Sequence, residues 1–169
     1  KATDHTKKNL RDLCASVRDK KTMSNFNFLP NTFLYLAKTA TLAERHIHGD
    51  PRAACFHARF TLEAIVHWLY RHDAGLSMPY DDSLGALLHE PSFQTLAPQA
   101  VFQKARVIQK IGNQAVHNPR PIQQYDALQA VKELHHICYW LVRTYTPEAP
   151  RDGAAWRDDR VPRPVSTGT

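Results

Sequence analysis

From Pro51 to about His72 the chain sets Ala54, Ala58, Leu62, Ile65, Val66 and Leu69 three or four residues apart. That spacing predicts a buried stripe on one α-helix of about six turns. An element of this length needs cover along most of its face, so the rest of the chain must supply helices or a sheet to pack on it. Asp50-Pro51 marks its start, an acidic N-cap followed by proline at the first helical position.

The flanking stretches supply helices. Thr32 to Ile47 carries Phe33, Leu36, Ala37, Ala40, Ala43 and Ile47 at helical spacing, and His48-Gly49 ends the run. Pro98 opens a third long period through Val101, Phe102, Ala105, Ile108, Ile111 and Ala115. A fourth, from about Gln123 to Tyr145, uses Leu128, Val131, Leu134, Ile137, Cys138, Leu141 and Tyr145. Between the second and third, Pro79 forbids helix continuation, Ser83 can cap a short helix through Leu84, Leu87 and Leu88, and Glu90-Pro91 stops it. No stretch alternates with a period of two. The expected class is all-α: an antiparallel bundle of about four main helices, with a short extra helix in residues 83–97 packed across one end.

Composition sets the boundaries. Residues 1–22 hold seven Lys or Arg against three Asp or Glu, residues 23–146 eleven against nine, and residues 147–169 four against four. The formal charge of +6 is therefore mostly a property of the first 22 residues. These are read as a leader outside the domain, with Met23 as the expected biological start. Residues 23–146 form the helical domain, and 147–169, rich in proline, are expected to be a linker or extended tail. Cys14, Cys55 and Cys138 are too scattered for a disulfide framework or a zinc ribbon, which fits a cytoplasmic setting. No apolar run reaches the roughly 18 residues of a membrane span, so no membrane partner is expected.

Ten histidines make metal the first chemistry to weigh. His46-Ile47-His48-Gly49-Asp50 has H-x-H-x-D lettering, but it straddles a helix end, where Asp50 is better used as a cap. His67, His72, His135 and His136 lack the spacing that places two imidazoles and a carboxylate on one helical face. No phosphate loop, dinucleotide fingerprint or nucleophile elbow occurs. Neither a metal nor a cofactor is expected in this stretch.

The most specified segment is Lys110-Ile111-Gly112-Asn113-Gln114-Ala115-Val116-His117, because glycine inside a helix costs about 1 kcal/mol against alanine. Arg59 and Glu63, one turn apart, can pair at the surface or orient each other in the interior. Together with Met23-Ser24-Asn25-Phe26-Asn27-Phe28-Leu29 and Arg59-Phe60-Thr61-Leu62-Glu63, the segment resembles the N-terminal helical domain of type I restriction enzyme R subunits and related helicase-containing proteins. The resemblance implies a cytoplasmic defence enzyme. Its ATP- and Mg-dependent DNA translocase and its nuclease would lie in downstream domains, and modification and specificity subunits would complete the complex on DNA. This stretch would be the noncatalytic accessory domain of a type I site-specific deoxyribonuclease subunit.

The same segment is also similar to the HEPN group, some members of which are dimeric ribonucleases with an R-N-x-x-x-H-like pattern. Asn113 and His117 match that pattern, but Gly112 stands where the arginine is required, and Lys110 and Arg106 are out of place as substitutes. The preferred expectation is structural. Gly112 would allow a close helix crossing, while Asn113 and His117 would hydrogen-bond across the bundle or satisfy carbonyls near the helix end, with Arg59 and Glu63 as partners.

Overall fold

A computed structural model describes residues 23–147 and 154–163. The described residues form an all-α bundle of four long helices and two short ones, with no strand. The long helices are α1 (Leu34–His46), α2 (Pro51–His72), α5 (Gln99–His117) and α6 (Gln124–Tyr145), and the short ones are α3 (Leu84–His89) and α4 (Pro91–Leu96). A single turn of 3-10 helix, Asn31–Phe33, leads into α1.

Local chemistry sets these boundaries. The Asp50 carboxylate accepts from Ala53 N at 3.0 Å, with Pro51 filling the first helical position. Ser83 Oγ accepts from Ala86 N to open α3, and the Glu90 carboxylate accepts from Ser92 N at 2.6 Å to open α4 beside Pro91. Each cap satisfies an amide that the first helical turn leaves without a partner.

Helix α2 packs on α1, α5 and α6, which makes it the centre of the bundle. Phe33, at the entry to α1, meets Trp68 near the end of α2, with ring centroids 5.0 Å apart, so α1 and α2 run in opposite directions. The end of α6 lies beside the end of α2, where Tyr145 donates to Asp73 Oδ2 at 2.6 Å. Ala54, Ala58, Leu62, Ile65, Val66 and Leu69 are all buried, as their spacing predicts. Ile108 of α5 and Leu134, Ile137 and Leu141 of α6 are buried in the same core. Helix α3 closes one end, held by the Tyr70 hydroxyl, which donates to the Leu87 carbonyl at 2.7 Å.

Candidate functional site

Helix α5 crosses α2 at Gly112. A Cβ built there would lie 2.6 Å from both Cβ and Cδ of Arg59, so the aliphatic stem of Arg59 occupies the room that any other side chain would need. The glycine thus gives up helix propensity for a close approach of two helices. Arg59 makes this contact through its stem, and its Nε is buried without a hydrogen-bond partner. Among the described residues Arg59 and Glu63 form no ion pair, so neither pairing that the sequence allowed is realised. Glu63 instead lines a groove between α1 and α2.

The hydrogen-bonding roles expected of Asn113 and His117 are not found either. Both side chains are exposed and make no hydrogen bond among the described residues, and Lys110 is exposed beside them. The reason is helical geometry. At about 100° per residue, Asn113 and His117 sit about 100° and 140° around the helix from Gly112. When Ala105, Ile108, Gly112 and Ala115 face the bundle, Asn113 and His117 must face solvent.

The carbonyls at the end of α5 are served by Arg52, from the first turn of α2. Its guanidinium donates to the carbonyls of Ala115, Asn118 (2.9 Å) and Arg120 (2.7 Å). A helix end leaves carbonyls unpaired, and a cation there also meets the favourable end of the helix dipole. The sequence signal existed. In an antiparallel pair, a basic residue just inside one helix start lies opposite the other helix's end.

A second cluster joins both ends of the described chain. Asn25 donates from its backbone N (3.0 Å) and from Nδ2 (2.7 Å) to the buried Glu44 carboxylate. Asn25 Nδ2 also donates to the Arg157 carbonyl at 2.9 Å, and its Oδ1 accepts from Arg157 N at 2.8 Å. Next to this clasp, His135 is buried in an aromatic cage, its ring edge-on to Phe26, Phe28 and Trp156 at 5.7, 5.1 and 5.5 Å. Neither of its ring nitrogens has a hydrogen-bond partner. Burial, followed by the charge of neighbouring His136, pushes its pKa down to about 4. The ring is therefore neutral at physiological pH.

Residues 154–163 consequently do not behave as the linker or extended tail expected of 147–169. Ala154 and Val161 are buried, and Lys132 of α6 pairs with Asp158 at 3.0 Å while lying over the Trp156 ring. An aromatic and an aliphatic side chain, together with main-chain bonds to Asn25, seat this piece, which holds a single proline, Pro162. The remainder of that segment, and the leader 1–22, lie outside the described residues.

The H-x-H-x-D letters disperse into separate tasks. His46 stacks on His57 at 5.6 Å, and Asp50 caps α2. Among the described residues no three His, Cys, Asp or Glu are grouped to hold a metal ion. Burial pushes the Cys55 thiol up to about 12 and raises Cys138 further, so neither is a thiolate at neutral pH.

Among the surface grooves of the described residues, two carry aromatic or basic side chains of interest. One, of about 510 Å3, lies between α1 and α2 and is walled by Tyr35, Phe60, Glu63, His67, Trp68 and Arg71. Tyr35, Phe56 and Phe60 are 58%, 48% and 41% exposed, and Phe60 lies 6.4 Å from Tyr35 and 6.2 Å from Phe56 between ring centroids, which makes a continuous aromatic strip. The other groove, about 450 Å3, lies between α3 and α5 and is lined by His89, Arg106, Gln109, Lys110 and Asn113 with Val107.

Fold and surface together define a helical bundle with an aromatic face and a separate basic groove, and no helix among the described residues is long and apolar enough to cross a membrane. The chain belongs to the family described as a domain of unknown function, DUF4145, which matches residues 41–158. That match includes Trp156 and Arg157, the docked part of the C-terminal segment. No curated protein and no solved structure matches the chain significantly.

Proposed function

We propose that this chain is the leading accessory domain of a type I restriction R subunit or a close helicase-containing relative, and that it docks the neighbouring nuclease and motor domains. The supporting observation is the exposed strip of Tyr35 and Phe60, which line the α1/α2 groove, continued by Phe56 stacked beside Phe60. Contiguous aromatic surface is costly to leave in water and commonly marks a contact site. In this reading the protein is cytoplasmic, ATP and Mg serve the parent's motor, and modification and specificity subunits bring the complex to DNA. The test begins with the gene read past Thr169, where helicase motifs are expected. The downstream fragment, co-expressed with this domain, should co-elute with it, and a Phe56→Ser/Phe60→Ser variant should separate the two. A stop soon after Thr169, or co-elution unaffected by the variant, overturns the proposal.

A second reading, a HEPN-like dimeric ribonuclease, is favoured by one observation: Asn113 and His117 share an exposed face of α5 with the cations Arg106 and Lys110. An exposed imidazole could pass a proton, and a nearby cation could stabilise a charged phosphate. Gly112 leaves the arginine of that pattern without a counterpart. Purified protein incubated with RNA decides the matter: no cleavage, or cleavage equal in His117→Ala, removes this reading.

A further inference from the structure

The groove between α3 and α5 has an electrostatic imbalance that the bundle itself does not resolve. Helix α5 contains no Asp or Glu over its 19 residues, yet it carries Lys104, Arg106 and Lys110. Lys104 is neutralised by Glu133 of α6 at 2.5 Å. Arg106 and Lys110 are exposed one turn apart, a spacing at which like charges repel. No carboxylate among the described residues lies within ion-pair distance of either. The acid nearest in sequence to the groove wall, Glu90, is turned toward the Ser92 amide and hydroxyl.

Arg106 is also held in place. The His89 ring lies 2.7 Å from the Gly85 carbonyl through Nδ1, and a carbonyl can only accept, so the proton is on Nδ1. Nε2 is left as an acceptor, and it takes one N–H of the Arg106 guanidinium. The edge of Phe102 backs the imidazole at 5.9 Å. A guanidinium fixed through one nitrogen keeps its other N–H groups free and oriented, which is the arrangement that suits two-point contact with a phosphate. Lys110 adds a point charge, and the Gln109 and Asn113 amides add neutral donors and acceptors along the same wall.

We propose that the α3/α5 groove binds a nucleotide phosphate, with Arg106 and Lys110 as the anion contacts and His89 positioning Arg106. A cavity of about 450 Å3 admits a single nucleotide of a strand or a free nucleotide. This site is apart from the α1/α2 aromatic face and does not depend on the docking role. Nor does it require cleavage, so DNA, which lacks the 2′-hydroxyl, is a suitable probe.

The test uses a fluorescein-labelled single-stranded DNA of about 15 nucleotides, the size range that single-strand binding surfaces cover. Anisotropy is followed as the full chain is titrated at two salt concentrations, with AMP as competitor. Binding in the micromolar to sub-millimolar range is expected, weakening as salt rises. Arg106→Gln/Lys110→Gln should weaken it about tenfold and lower the salt slope by about 1.4, the loss of two single-strand phosphate contacts. Lys38→Gln/Arg45→Gln, which removes two exposed cations of α1, controls for net charge and should change affinity less than twofold. Competition by AMP identifies a free nucleotide as the source, and its failure identifies a strand. Absence of binding at about 1 mM protein, or equal binding by the double variant with an unchanged melting temperature, overturns the proposal.

Discussion

Gly112 and Arg59 share one volume, and the position of each explains the other. Gly112→Ala would gain helix propensity but drive a methyl group into Arg59 Cβ, which no rotamer change can move away. The net expectation is a loss of about 1–2 kcal/mol, overpacking outweighing propensity, read by chemical denaturation. Equal or higher stability would remove the close-approach account of this glycine. At the end of the same helix, Arg52→Ala leaves three carbonyls to find other donors and should cost about 1–3 kcal/mol. Asn113→Ala and His117→Ala, which break no bond in the bundle, should each stay within about 0.5 kcal/mol of the parent, and a larger loss in either would show that it has a structural partner. His135 adds a pH signature. Its folded pKa of about 4 lies below the ordinary 6.5, so between those values the unfolded chain binds the extra proton. The stability owed to this neutral ring is complete above pH 6.5 and is lost as pH falls toward 4. His135→Leu should flatten the acid limb of a pH–stability curve, and an unaltered limb would refute the assignment.

At the scale of elements, the helices were legible because a buried stripe repeats every three or four residues and because Asp50 and Ser83 announce their caps, whereas Glu90, read as a stop, also caps the next helix. The Gly112 crossing could be anticipated from its propensity cost. What the pattern could not convey was direction around the helix, since Asn113 and His117 are as close in sequence to the buried face as they are remote from it in rotation. Contacts between distant stretches were equally hidden: Asn25, Glu44 and Arg157 meet through hydrogen bonds that leave no periodic trace. Proline content argued for an extended tail, but the structure packs Trp156 and Val161 against the core. Asn25→Ala keeps the backbone N–H to the buried Glu44 carboxylate but removes the Nδ2 donor and both bonds to Arg157, and should cost about 1.5–3 kcal/mol. Amide exchange in residues 154–163 should then accelerate before that of the long helices, as for a locally released unit. Unchanged protection there would mean that Trp156 and Lys132 seat the segment without Asn25.

Across the whole molecule, the basic groove and the aromatic strip involve different helix pairs, α3 with α5 and α1 with α2, and both pairs are braced by the central α2. The two proposed contacts would therefore use different surfaces of one domain. The hydrogen bonds between residues 25 and 157 have a topological consequence as well, because they bring the two ends of the described chain to one place. The connection 73–82 lies elsewhere, between the end of α2 and the start of α3. A circular permutant that joins residue 163 to residue 23 through a short glycine-serine bridge and opens between Pro79 and Tyr80 should thus keep its helical circular dichroism and melt cooperatively. If it does, the linear order of the gene is only one of several ways to write this bundle.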